Sequence, residues 1–80
     1  MSVYKFLSTQ STISTASNVG SKPLVRIFCS SSSVLTLAYA NGTTYANTTL
    51  GTGEAIIVEK MPTDTVQGSN MVAVPIAYRN

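Results

Sequence analysis

The chain has no histidine, no tryptophan and a single cysteine, Cys29. One cysteine cannot form an intrachain disulfide, and without imidazole the chain lacks the nitrogen ligands of common zinc sites. Histidine is also the most frequent general acid or base, and only three carboxylates, those of Glu54, Glu59 and Asp64, are present to replace it. We therefore expect no catalytic residue, no metal site and no cofactor, and we interpret Cys29 as a small core residue.

Charge is also scarce, since charged residues make up 10% of the chain and the formal net charge is +2. Soluble globular domains usually contain about a quarter charged residues. The basic residues are spread along the sequence instead of clustering, so we expect no nucleic-acid partner. A surface so poor in charge suits a buried interface better than a freely diffusing monomer.

Long apolar runs are missing as well. No segment reaches the roughly 18 consecutive apolar residues that a membrane-spanning helix requires, so no membrane partner is expected. Residues 1–7 contain one lysine and no long apolar segment, and we therefore expect no signal peptide and synthesis in the cytoplasm.

The short chain limits how much core it can build. A domain of about this length buries only roughly 60% of the surface that its unfolded form exposes. Small domains usually gain stability from disulfides, a metal or oligomerisation, and only the last is open to this chain. We expect a homo-oligomer, or many copies in a larger assembly.

What the sequence does contain is β-forming. Thr, Val, Ile and Tyr recur in short runs separated by Gly, Asn, Pro and Ser, which predicts an all-β chain. The expected fold is one domain over residues 1–80, a small antiparallel β-sandwich or barrel-like structure with an extended N-terminal arm. Strands are predicted at residues 3–7, 24–29, 34–40, 43–48, 54–60 and 71–78.

Three of these strands carry specific expectations. Asn41-Gly42 predicts a two-residue hairpin turn in which both residues have positive φ, which would bring Tyr39 and Tyr45 together. The continuous apolar run within 54–60 predicts a central strand that is buried on both faces. The last strand is predicted to lie at an edge, because Pro75 cannot donate a ladder hydrogen bond.

Residues 8–21 form a Ser/Thr-rich stretch that is predicted to be an arm or long loop lying over a neighbouring subunit. Ile13 and Val19 are its only large apolar side chains, too few to hold a sheet face by themselves. They are the interface residues expected from the arm. Those expected from the last strand are Val74, Ile76 and Tyr78.

The segments GEAIIVEKMPTDTV at 53–66 and VPIAY at 74–78 resemble short virion structural proteins of tailed bacteriophages, particularly marine and cyanobacterial ones. In that family a glycine-led strand ends in a Lys-x-Pro-x-Asp turn before a last strand near the C-terminus. The resemblance implies a component of the virion and carries no catalytic residues.

Three functions follow as hypotheses. The leading one, which joins the resemblance to the physical arguments, is a capsid decoration or cement protein that stabilises the phage head by binding the major capsid protein. The second is a tail, neck or fibre-attachment component that contacts other virion proteins. The third is a host-surface glycan-binding module that uses Tyr39, Tyr45 and Tyr78 as stacking platforms.

Overall fold

The computed structural model describes residues 3–79, and the side chains of residues 5–77, and within that range it contains eight β-strands and no helix. The strands are Val3–Phe6 (β1), Ser11–Thr12 (β2), Leu24–Cys29 (β3), Ser33–Ala38 (β4), Thr44–Leu50 (β5), Ala55–Glu59 (β6), Thr65–Gln67 (β7) and Met71–Arg79 (β8). All of their pairings are antiparallel. The prediction of a small all-β fold is confirmed.

The strands form two sheets that enclose one core. The larger sheet has the order β1-β8-β3-β6, with β2 also paired to β8, and the smaller sheet has the order β5-β4-β7. Alternation along β3 places every second side chain in the core, as the sequence predicts. Both sheets contribute to this core, whose buried members are Ile13, Val19, Val25, Ile27, Cys29, Leu35, Leu50, Val66, Met71 and Ala73.

The last strand is central, so the prediction of an edge position for it is wrong. β8 lies between β3 on one side and β1 and β2 on the other. The carbonyl oxygen of Pro75 accepts a hydrogen bond from the Leu7 amide at 2.8 Å, so the backbone of Pro75 faces β1 and β2. The nitrogen of Pro75 faces the same side as its carbonyl, so the donor that proline lacks is missing from the bond to the edge chain at Leu7 and not from the pairing with β3.

The strand predicted to be central is an edge. β6 pairs only with β3. Its Ile56 and Val58 side chains pack against the core, whereas Ala55, Ile57 and Glu59 are exposed. A short apolar run does not distinguish a strand buried on both faces from one whose second face is apolar and open.

The segment 8–21 belongs to the domain's own core instead of reaching over a neighbour. Ile13 is wholly buried and Val19 is 4% exposed. The segment pairs with the smaller sheet at Ser17 and Val66, whose amides and carbonyls exchange hydrogen bonds of 2.8 and 3.0 Å. Val19 has a φ of 51°, which is costly for a β-branched residue, and burial of its side chain offsets that strain.

The hairpin between β4 and β5 forms where the sequence predicts it, with a different turn. Of the two predicted turn residues only Gly42 has positive φ, at 94°. The Gly42 amide donates to the Tyr39 carbonyl and the Tyr39 amide donates to the Thr43 carbonyl, both at 2.9 Å, so this is a three-residue connection closed by a left-handed glycine. The Asn41 side chain instead accepts from the Thr43 amide at 2.9 Å.

Candidate interaction surfaces

The side of the larger sheet that points away from the core is apolar, and we call it the outer face. Antiparallel sheets with one covered face commonly place polar residues on the other. Here the register sets apolar side chains beside one another across four strands. The outer face consists of Phe6, Thr12, Leu24, Arg26, Phe28, Ala55, Ile57, Glu59, Val72, Val74 and Ile76.

Several of these side chains are open to solvent, with Phe6 61% exposed and Ile57 39% exposed. Val74 and Ile76 are buried although they lie outside the core cluster, so the strip of the outer face along β8 is closed to solvent while its margins at Phe6 and Ile57 are open. Exposed apolar side chains grouped on one sheet face are a common feature of interaction sites. The outer face is therefore the first candidate site.

Arg26 lies in the middle of the outer face, between Ile57 on β6 and Val74 on β8. Its side chain is half-buried. Among the residues that the structure describes, none accepts a hydrogen bond or forms an ion pair with its guanidinium. A guanidinium desolvated by a partner needs an acceptor, so this residue defines what a complementary surface must supply.

The outer face is also grooved. A depression of about 600 Å³ lies along β2, β3 and β8, and its lining includes Thr12, Phe28 and Val72. A second, of about 380 Å³, lies beside Arg26 and Ile57. Protruding apolar side chains of a partner therefore have places to fit.

A second candidate site lies at the end of the domain where the β4–β5 hairpin meets the turn after β6. The rings of Tyr39 and Tyr45 stack with their centroids 4.5 Å apart and their planes inclined by 31°, which confirms the predicted proximity. The Tyr45 hydroxyl donates to Oδ2 of Asp64 at 3.0 Å. These residues border an open groove of about 510 Å³, the tyrosine groove, whose other lining residues are Pro23, Glu59, Lys60, Met61 and Pro62.

Two ionisable groups of the tyrosine groove have shifted pKa values. Burial and, secondarily, the neighbouring carboxylate of Asp64 raise the pKa of Tyr45. Burial lowers the pKa of Lys60, against a smaller opposite effect of Asp64. Lys60 is 5% exposed, and its ammonium donates to the carbonyl oxygens of Pro62 at 3.2 Å and Met61 at 3.4 Å. The groove thus combines two aromatic rings with two acids, Glu59 and Asp64, and one base, Lys60.

The predicted interface residues divide into three groups. Ile13 and Val19 fill the protein's own core and present no side chain to a partner in this structure. Val74 and Ile76 are part of the outer face. The side chain of Tyr78 lies outside the described residues.

Sequence reasoning did not select the residues that make the outer face a site, namely Phe6, Arg26, Phe28 and Ile57. The alternation of Leu24, Arg26 and Phe28 opposite the core residues of β3 was the available signal. It became informative only once β6 and β8 were seen on either side of β3.

Cys29, the one cysteine of the chain, belongs to neither surface. Cys29 is wholly buried, and its thiol donates to the Ser31 carbonyl oxygen at 3.0 Å. Within residues 3–79 no group of three or more His, Cys, Asp or Glu side chains is placed to hold a metal ion. The same residues contain no helix that could cross a membrane.

The fold defines the class as a small antiparallel β-sandwich domain with one apolar open face. No protein-family model, no curated protein and no solved structure matches the chain significantly. The surfaces themselves are the basis for a functional assignment.

Proposed function

We propose that this protein is a non-enzymatic structural component of a phage virion, a decoration or cement protein that binds the major capsid protein in many copies. The observation that supports this most is the apolar outer face, over which no second sheet of the described residues lies and whose Phe6 and Ile57 side chains are exposed. A chain that leaves such a face open gains stability when a partner covers it. The virion is then the expected location.

The two sides of the domain differ in a way that suits attachment to a surface. The outer face is apolar, whereas β5, on the opposite side, exposes mainly Thr and Asn side chains. Docking by the outer face leaves the smaller sheet, with the Thr and Asn side chains of β5, towards solvent. This arrangement supports the role of a protein that coats the outside of a shell. The likeness of residues 53–66 and 74–78 to phage virion proteins supports the same role.

The chemistry of the outer face specifies its partner. The complementary surface carries apolar side chains that enter the depressions beside Phe28 and Ile57. It also carries a carboxylate opposite Arg26, because an unpaired buried guanidinium would cost several kcal/mol (roughly 3–5). We expect this patch on the outside of the major capsid protein.

Purified virions depleted of the protein and then reconstituted with variants test the proposal. Phe6→Ser and Arg26→Glu change the outer face, and the matched control Val34→Ser removes an exposed apolar side chain from the smaller sheet. We expect the two outer-face variants to bind at least about tenfold more weakly and the control to bind normally. Shell melting temperature should follow occupancy, since the ligand stabilises only the assembled state.

Shells without the protein that melt and resist osmotic shock as well as complete shells would contradict a cement role. Copy number separates the head from the tail machinery. Many copies per particle support head decoration, and a few per particle support the alternative of a tail, neck or fibre-attachment component.

A second candidate function is binding of a host-surface glycan in the tyrosine groove. The stacked rings of Tyr39 and Tyr45 offer an apolar platform for a sugar ring, beside the carboxylate of Asp64. A glycan array tests it, with Tyr39→Ala expected to abolish any signal and Val34→Ser expected to keep it. An array without signal, or unchanged phage adsorption for Tyr39→Ala, counts against this function.

A further inference from the structure

The sheet edges of this protein are not protected equally. The β1–β2 edge is interrupted between Phe6 and Ser11 and carries Lys5, and β7 is three residues long and is covered at Val66 by Ser17. The β5 edge is polar. Interruption, charge, shortness and cover are the devices by which proteins prevent edge pairing.

The β6 edge carries one charge, that of Glu59 at its end, but it is neither interrupted nor covered among the described residues. It reads Ala-Ile-Ile-Val-Glu, has no proline or lysine within its bounds, and pairs with β3 in a continuous register without a bulge. No strand among the described residues lies on its other side. Its exposed side chains, Ala55, Ile57 and Glu59, extend the outer face up to the edge.

The free backbone groups of β6 can be identified. The Lys60 amide donates to the Pro23 carbonyl at 2.8 Å, and the Glu54 carbonyl accepts from the Cys29 amide at 2.9 Å, so the even-numbered residues bond towards β3. The N–H and C=O groups of Ala55, Ile57 and Glu59 consequently point outward along the open edge.

We propose that two copies of this chain pair through β6, antiparallel and about a two-fold axis at Ile57. In this register Ile57 lies opposite Ile57 of the partner subunit, and Ala55 lies opposite Glu59 of the partner subunit. All outward amides and carbonyls of Ala55, Ile57 and Glu59 then exchange hydrogen bonds with the other copy.

The charges along β6 agree with this register. No two acids oppose each other, because Glu59 faces alanine. Continuation of the register sets Glu54 opposite Lys60, whose ammonium is bound to the carbonyl oxygens of Met61 and Pro62, so no like-charge pair arises there either. A two-fold interface without a like-charge pair is self-complementary in charge.

The pairing joins two outer faces into one continuous apolar surface, centred on the two Ile57 side chains. It is independent of the virion assignment, because it is a property of the purified chain. Failure of the shell experiments leaves it intact, and its own failure leaves shell binding by single copies intact.

Sedimentation of the purified full chain and its variants over a range of concentrations tests the pairing. Ile57→Pro removes an outward N–H without loss of a bond to β3, and we expect a monomer that keeps the wild-type circular dichroism spectrum. Ala55→Glu places an acid opposite Glu59 of the partner subunit on both sides of the axis, and it should weaken the dimer at least tenfold. Adding Glu59→Lys to Ala55→Glu should restore it, since each acid then faces a base.

Disulfide trapping tests the position of the axis. Ile57→Cys places two thiols at a hydrogen-bonded pair whose Cα atoms are about 5.5 Å apart, a separation that a disulfide spans. We expect rapid covalent dimer formation in mild oxidant. The matched control Val34→Cys, on the exposed side of the smaller sheet, should cross-link far more slowly.

The proposal is overturned by a wild-type chain that stays monomeric at millimolar concentration, by a dimer that persists in Ile57→Pro, or by equal trapping of the two cysteine variants. Open-ended oligomers would also overturn it, because they indicate head-to-tail pairing of β6 with another edge.

Discussion

The inner and outer faces of β3 differ much less in composition than in what covers them. The inner side chains Val25, Ile27 and Cys29 are wholly buried. On the other side Leu24, Arg26 and Phe28 are half-buried, and no second sheet of the described residues lies over them. Apolar character therefore identifies a strand, but only the covering layer determines which face stabilises the monomer and which is available to a partner.

The difference has an energetic consequence. Burial of apolar area contributes about 25 cal/mol per Å², and on the inner face this is gained when the chain folds. On the outer face much of it is gained only when another surface arrives. Variants of the inner face should therefore affect folding, and variants of the outer face should affect association.

The largest expected effect on stability is that of Ile27, and Ile57 on the adjacent strand is its comparison. Ile27→Ala should lower the free energy of unfolding by about 2–5 kcal/mol, because it leaves a cavity in the core. Ile57→Ala, on the outer face, should cost about 1 kcal/mol or less under dilute, monomeric conditions. Urea denaturation measures both changes in the free energy of unfolding, and equal losses would contradict the distinction between the two faces.

Ile13→Ala tests whether the segment 8–21 belongs to the inner side. We expect a loss of about 2–4 kcal/mol, since the side chain is wholly buried in the core. Thr15→Ala, at an exposed position two residues further along, is the control and should change stability by no more than about 0.5 kcal/mol. A mild effect of Ile13→Ala would mean that the segment detaches from the domain in solution.

The tyrosine groove provides a smaller effect that depends on pH. Tyr45→Phe removes the hydrogen bond to Asp64 and should cost about 1 kcal/mol at neutral pH. Because the folded pKa of Tyr45 is raised above 10.0, the unfolded chain ionises first, and the stability is complete below that pH and is lost as the pH rises through the folded value.

The deficit of Tyr45→Phe relative to the wild type should therefore shrink above pH 10.0. Lys60 acts in the opposite direction, since its lowered pKa makes stability rise as the pH passes through the folded value. Lys60 is present in both proteins, so subtracting the two urea-denaturation profiles isolates the tyrosine. A pH-independent deficit would indicate that burial of the phenol is unimportant.

The smallest expected effect on stability is that of Phe6→Ser, because this ring is the most exposed aromatic of the outer face at 61%. We expect a change within about 0.5 kcal/mol. Binding of a hydrophobic dye to the folded protein should nevertheless decrease. A large loss of stability would show that Phe6 contributes to the folding of the monomer and not only to association.

The positions of the longer strands are predictable from the sequence, whereas the shortest strand and the outer face are not. The alternation in residues 24–29 predicts both the strand and its buried face, and Asn41-Gly42 locates a hairpin. The three-residue strand β7 is not predicted from the sequence, because Thr-Val-Gln is too short to show a period. Of the outer-face residues the sequence analysis selected only Val74 and Ile76, and both are buried.

The exchange of centre and edge between β6 and β8 shows where such prediction stops. The apolar run of β6 and Pro75 of β8 both argue for the opposite order. The proline is tolerated because its nitrogen faces the edge chain and not β3, and the apolar run is tolerated because β6 lies open. Both reasons involve residues distant in the chain.

Local sequence patterns are enough to show that this protein is all-β, where most of its strands lie and which side of β3 is buried, because a two-residue period is a local property of the chain. The strand order, the burial of Ile13 and Val19, and the exposure of Phe6 and Ile57 follow only from the three-dimensional arrangement. These depend on which strands pair across long sequence separations and on which layer covers which face, and no local pattern encodes either.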